Sequence, residues 1–196
     1  MKISRRTDDR RAIAAFEFAL VLPILLILLL AGADLTMWFI NKFRLDNTAS
    51  EVGNIVAEAT ALPLSAFPAA WCSGASTSLN YFAVAYNIAA PLSVCGANGA
   101  TIISGITNNG TNTSMVWQER TGNAAAYPSL IGTPGKALTF PPGYSVPSGH
   151  SVIATEVYTG ITPWKFSLSF MSGPGAPSLY AHSIFEPRSG TLATPQ

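Results

Sequence analysis

Residues 10–23 are Arg10-Arg11-Ala12-Ile13-Ala14-Ala15-Phe16-Glu17-Phe18-Ala19-Leu20-Val21-Leu22-Pro23, and an apolar run from Ile24 to Ala33 follows directly. Arginines precede the run, one carboxylate stands inside it, and no charge follows between Phe18 and Ala33. Residues 13–33 suffice for one helical crossing of a bilayer core, which takes ~20 residues for ~30 Å. Pro23 would break a soluble helix, but a membrane helix tolerates it as a kink. A charged side chain at membrane depth costs ~2.5–3.5 kcal/mol on insertion scales. Glu17 therefore implies a partner charge or a functional use. The plainer alternative is that Glu17 rests at the lipid–water boundary beside Arg10 and Arg11.

Outward toward the C-terminus, helical character continues over residues 34–62. Leu45, Ala49, Val52, Val56 and Ala59 recur at spacings of four and three, which is one helix face. Asp46, Asn47, Ser50, Glu51, Asn54 and Glu58 take the other faces, and Gly53 weakens the run slightly. Pro63 ends it, because the residue before a proline avoids helical dihedrals. A competing reading cuts the chain after Ala31-Gly32-Ala33, a small-x-small signal-peptidase pattern, and leaves a soluble domain starting at Asp34. Against that cut, Leu35, Met37, Trp38, Phe39, Ile40 and Phe43 prolong the apolar character past Ala33.

Outward toward the N-terminus, residues 1–12 form a basic leader without periodicity, expected to be disordered. Lys2, Arg5, Arg6, Arg10 and Arg11 outnumber Asp8 and Asp9 there, whereas after Asp46 only Arg120, Lys136, Lys165 and Arg188 are positive. That asymmetry places the N-terminus in the cytoplasm and the long C-terminal part outside. Ser4-Arg5-Arg6 lacks the apolar residues that a twin-arginine export signal needs next. The formal net charge of +1 gives no reason to expect nucleic acid as a partner.

From Pro63 to Gln196 the composition turns to Gly, Pro, Ser, Thr and Asn. Short β-branched and aromatic runs at Ala100–Thr107, Ser114–Glu119, Ser151–Ile161, Phe166–Met171 and Leu179–Phe185 predict strands. Asn108-Asn109-Gly110 predicts the turn between the first two. Thr77–Ala89 fits helix or strand. Cys72 and Cys95, both in the exported part, read as a disulfide worth roughly 3 kcal/mol by restricting the unfolded chain; two unrelated thiols are the alternative. Trp71, Trp117 and Trp164 are candidates for the core of this head, with an exposed binding role as the other possibility. The fold class expected is α+β: a long N-terminal helix, transmembrane and then amphipathic over 13–62, packed against a small β-rich head with long loops over 63–196.

Nothing in the head supports catalysis, a metal or a cofactor. His150 and His182 lack metal-ligand spacing, and the pair Cys72 and Cys95 has no Cys-x-x-Cys partner. Thr133-Pro134-Gly135-Lys136 lacks the upstream glycine of a phosphate loop, and Ser148-Gly149-His150 is no nucleophile elbow. Asn109-Gly110-Thr111 and Asn112-Thr113-Ser114 match glycosylation sequons, a pattern that carries little weight.

The arginine pair, the small residues, Phe16-Glu17-Phe18-Ala19-Leu20-Val21-Leu22-Pro23, the leucine run and the amphipathic helix together resemble the TadE-like family. These are minor pilins or pseudopilins of tight-adherence (Flp) pili, within the type IV pilus group. Met115-Val116-Trp117-Gln118 and Val152-Ile153-Ala154-Thr155-Glu156-Val157-Tyr158 extend the likeness loosely into the head. The resemblance implies a single-pass inner-membrane subunit that takes part in pilus assembly or priming, with its head in the periplasm. It implies as partners a prepilin peptidase, other pilins, the inner-membrane assembly platform and the bilayer. It implies a cut between Ala12 and Ile13; the family usually has glycine where this chain has Ala12. Glu17 then becomes the fifth mature residue, placed to pair with the new α-amine of a neighbouring subunit.

Overall fold

The computed structural model describes residues 4–62, 80–161, 178–189, 192 and 195, with side chains from Ile13 onward in the first of these. The elements are α1 (Ser4–Glu58), α2 (Tyr81–Ala89), a single 3-10 turn (Gly96–Asn98), β1 (Gly99–Asn108), β2 (Thr113–Gly122), β3 (Ser151–Gly160) and β4 (Ser178–Phe185). The chain divides into two units. Of the described residues, one holds Ser4–Phe39 and the other holds those from Ile40 onward.

α1 differs from the expectation at both ends. It begins at Ser4, so most of the basic leader is helical rather than disordered. No glycine or proline lies between Met1 and Leu22, and a helix already nucleated in an apolar run extends at little cost into such residues. At the other end α1 stops at Glu58, short of Leu62. The Ala59 amide closes back on the Val56 carbonyl at 3.2 Å, and the Arg188 amide caps the Ala57 carbonyl at 2.9 Å. The Arg188 guanidinium contacts Glu58 at 2.7 Å and donates to Asn54 Oδ1 at 3.1 Å. A cation at a helix C-terminus suits the dipole. Leu62 is buried and bridges in parallel to Pro195. Tertiary partners therefore end this helix before Pro63 acts.

Within the second unit, four antiparallel strands run in the order β2-β1-β3-β4. The inner face carries Ile103, Trp117, Ile153, Val157, Leu179 and Ala181. Against it pack Leu45, Ala49, Val52 and Val56 of α1, the stripe the sequence marks out, and Tyr81, Phe82, Ala85 and Ala89 of α2. Fully burying a side chain of Val or Leu size contributes about 1.5–3 kcal/mol, so this layer is the main source of the head's stability. Trp117 is core, as expected; Trp71, Trp164 and the strand expected at Phe166–Met171 lie outside the described residues.

The ambiguous segment before Ala89 is helical from Tyr81. Asn80 is its N-cap and accepts from the Phe82 and Ala83 amides at 3.0 and 3.2 Å. β1 and β2 form the expected hairpin. A bulge at Gly105/Ile106 leaves Val116 as the extra residue, and Val116 is exposed. Trp117, opposite Gly105, fills the space above that glycine; a Cβ there would lie 2.3 Å from the indole Nε1.

The outer face is closed by the β2–β3 connection. Side chains of the strands fasten one continuous stretch of its backbone. Arg120 donates to the Tyr127 carbonyl at 3.0 Å, Tyr158 to the Pro128 carbonyl at 2.7 Å and Gln118 to the Gly132 carbonyl at 3.0 Å. Ile106, Met115, Ile131, Val146, Val152 and Ala154 fill the space beneath. The strap lets a four-stranded sheet be apolar on both faces, which explains the burial of nearly every residue of β1 and β3.

Candidate functional site

α1 presents an exposed apolar surface from Ile13 to Phe43. Its most apolar 18-residue window is wholly unburied. Leu29 is 67% exposed and Phe43 70%. This is one helix long and apolar enough to cross a membrane, and water cannot stabilise so continuous an apolar surface. Its backbone groups are bonded within the helix, as a lipid environment requires. Trp38 and Phe39 meet edge to face with ring centroids 5.2 Å apart. Lys42 and Arg44 follow, so aromatic and cationic residues succeed the apolar run in the order found at a membrane–water interface.

The residues singled out from sequence fall as follows. Ala12 and Ile13 are consecutive helical residues, so the bond between them lies inside α1. Glu17 is exposed on α1, four residues after Ile13 and hence about one turn along. Cys95 is buried beside the 3-10 turn, where it is the residue preceding Gly96; Cys72 lies outside the described residues. His150 is on a surface loop with Nδ1 3.2 Å from Glu186. His182 is exposed on β4 and stacks on Tyr180, centroids 5.5 Å apart. The described residues contain no group of three or more His, Cys, Asp or Glu able to hold a metal.

Two carboxylates escaped the sequence reading. Asp34 is 3% exposed, although its neighbours in α1 are exposed. Nothing in its sequence position signals that burial. Glu156 is fully buried at the centre of the outer face of β3. It accepts from the Ser129 hydroxyl, from the Leu130 amide at 2.8 Å and from the Tyr180 phenol at 3.1 Å. A buried carboxylate needs several such donors. Burial pushes the Tyr180 and Tyr158 phenols well above the usual tyrosine range, and the Glu156 charge adds to the effect. Burial also lowers the Arg120 guanidinium, while Glu156 and Tyr158 draw it back up. Val152, Ala154, Glu156 and Tyr158 share one face of β3, as the two-residue period of a strand requires. That period gives no sign that a strap would cover the face.

The strap and β4 also border an open cleft of ≈ 240 Å³, lined by Leu130, Ile131, Phe140, Pro142, Tyr180 and His182 among others. Among the described residues its lining contains no carboxylate, lysine, arginine or cysteine, and Glu156 is hydrogen-bonded by hydroxyls and an amide, with the Arg120 guanidinium close enough to feel its charge. This arrangement fastens the strap to the sheet.

An apolar helix leading into an α+β head defines the class: a protein with, among its described residues, one helix capable of spanning a membrane. Residues 12–53 match the family model described as TadE-like protein. The match thus covers α1 from Ala12 to Gly53, both its lipid-suited part and the part that forms the head's core. No curated protein and no solved structure matches the chain.

Proposed function

We propose that this protein is a minor pilin or pseudopilin of a tight-adherence pilus, anchored by α1 in the inner membrane and engaged in pilus assembly or priming. One observation carries this reading. α1 is continuous, with exposed apolar side chains over Ile13–Phe43, while its continuation Leu45–Val56 is the core of the head. A cut after Ala33 would separate the lipid-suited stretch from that core, whereas one unbroken helix that serves both suits a membrane-held subunit. The basic leader keeps the N-terminus cytoplasmic and the head periplasmic. The role is structural rather than enzymatic.

On this reading the prepilin peptidase cuts between Ala12 and Ile13. Its product carries an α-amine one turn from Glu17. In the membrane or fibre, Glu17 pairs with the amine of a neighbouring pilin, which offsets the cost of both charges and fixes the axial register. The apolar helix then moves from lipid into a bundle of like helices, and its solvent scarcely changes. Intact mass and N-terminal sequencing, on protein from cells with their own pilus machinery, test this. The expected mature N-terminus is Ile13. A start at Asp34 would replace the reading by a secreted soluble domain.

A further inference from the structure

We infer that the tip of the β1–β2 hairpin is a self-modification site, at which Asn109 converts to aspartate or isoaspartate with loss of ammonia. The sequence contains the pair Asn-Gly twice, at Asn98-Gly99 and at Asn109-Gly110, and by composition alone the two are equivalent. The fold makes them different.

At the hairpin tip, residues 109–112 are all exposed. The Asn109 side chain folds forward along the chain, and its Oδ1 accepts from the Thr111 amide at 3.0 Å and the Asn112 amide at 2.9 Å. Those amides polarise the side-chain carbonyl, and they are placed to stabilise the negative charge that oxygen acquires when its carbon is attacked. The nucleophile is the adjacent Gly110 nitrogen. Its N–H donates to Asn108 Oδ1 at 2.9 Å, and no other acceptor among the described residues holds it. Gly110 has φ +89 and no Cβ to crowd the approach. The Gly110 nitrogen bonds to Asn109 Cγ and gives up its proton to water, while Nδ2 takes a proton from water and leaves as ammonia. The resulting succinimide adds one water and opens to aspartate or isoaspartate. Overall, asparagine plus water becomes the acid plus ammonia.

At Asn98-Gly99 the same chemistry is obstructed. Asn98 ends the 3-10 turn and Gly99 is buried at the start of β1, in register with Thr159. A Cβ on Gly99 would meet the Ser93 carbonyl oxygen at 2.1 Å, a measure of how closely backbone surrounds this glycine. No pair of amides addresses Asn98 Oδ1 among the described residues. The consequence at Asn109 is a new negative charge at an exposed end of the head, acquired with time and without an enzyme.

The test incubates the full chain in detergent at neutral pH and 37 °C, with peptide mass mapping of both asparagines over time. A parallel sample is held in concentrated urea. In the folded protein, Asn109 should convert at least about ten-fold faster than Asn98, and in urea the two rates should converge. Equal rates in the folded protein would overturn the proposal. So would a ratio that persists in urea, because the fold would then have no part in it.

Discussion

Gly53 of α1 and Ser183 of β4 touch so closely that a Cβ on the glycine would lie 2.6 Å from the serine Oγ. The same carbon would lie 2.9 Å from Phe185 Cδ2. One turn earlier, Ser183 Oγ donates to the Ala49 carbonyl at 2.6 Å. The helix therefore lies directly against β4, and the missing side chain makes that approach possible.

Gly53→Ala should accordingly lower stability, although alanine favours a helix by about 1 kcal/mol. Overpacking a tight contact costs about 1–3 kcal/mol, so the net effect is a loss of up to about 2 kcal/mol. Chemical denaturation of the head's far-UV signal measures it. Adding Ser183→Ala to Gly53→Ala should recover part of the loss; a more stable single variant would show that the contact is slack.

Glu156→Ala should loosen the strap. It leaves the Ser129 hydroxyl, the Leu130 amide and the Tyr180 phenol without their acceptor. Orphaned buried polar groups cost about 1–3 kcal/mol each, so a loss of roughly 3 kcal/mol or more is expected. Amide hydrogen exchange at Leu130 and Ile131 should accelerate beyond what global unfolding explains. Unchanged protection there would mean that apolar packing alone holds the strap.

Alkaline pH should destabilise the head through its tyrosines. The folded Tyr180 and Tyr158 phenols titrate above their unfolded value, about 10. Above that value the folded state holds more protons than the unfolded chain, so stability falls as pH rises. Below it their contribution is fully present. Tyr180→Phe should flatten the decline between about pH 10 and 12. The same slope in wild type and variant would exclude Tyr180 as its source.

Glu17→Ala should leave membrane insertion intact, since it removes an unfavourable charge from an apolar helix. Recovery of the protein in sheared pili should fall at least about ten-fold if the charge pair is worth more than about 1.4 kcal/mol. Glu17→Gln should share the defect, because it keeps the shape and loses the charge. Pilus incorporation at wild-type levels would remove the pairing role.

A bond between Cys72 and Cys95 should stabilise the head by roughly 3 kcal/mol. Alkylation without reductant should then add no mass to the denatured protein, and reduction should lower its melting temperature. Two modified thiols before reduction would exclude the bond.

What the sequence determined by itself was local and periodic. The charge-free apolar run ending at Ala33, the stripe Leu45, Ala49, Val52 and Val56, and the β-branched runs around Ile103 and Ile153 are fixed by residue spacing, and the corresponding elements are present. Glu17 stood out because a carboxylate inside a lipid-suited run is costly wherever the head lies. Tertiary structure decided the rest. Local pattern made Gly53 a weak point of a helix, whereas it is the place where α1 meets β4. Pro63 appeared to be the helix stop, but Arg188 and the pairing of Leu62 with Pro195 come first. Nothing local marks out Glu156; a strap arriving from 25 to 27 residues away in the chain makes it a buried anchor. Each of these depends on contacts between distant segments, and hydrophobic periodicity holds no information about which distant backbone will supply a donor or occupy the space beside a glycine.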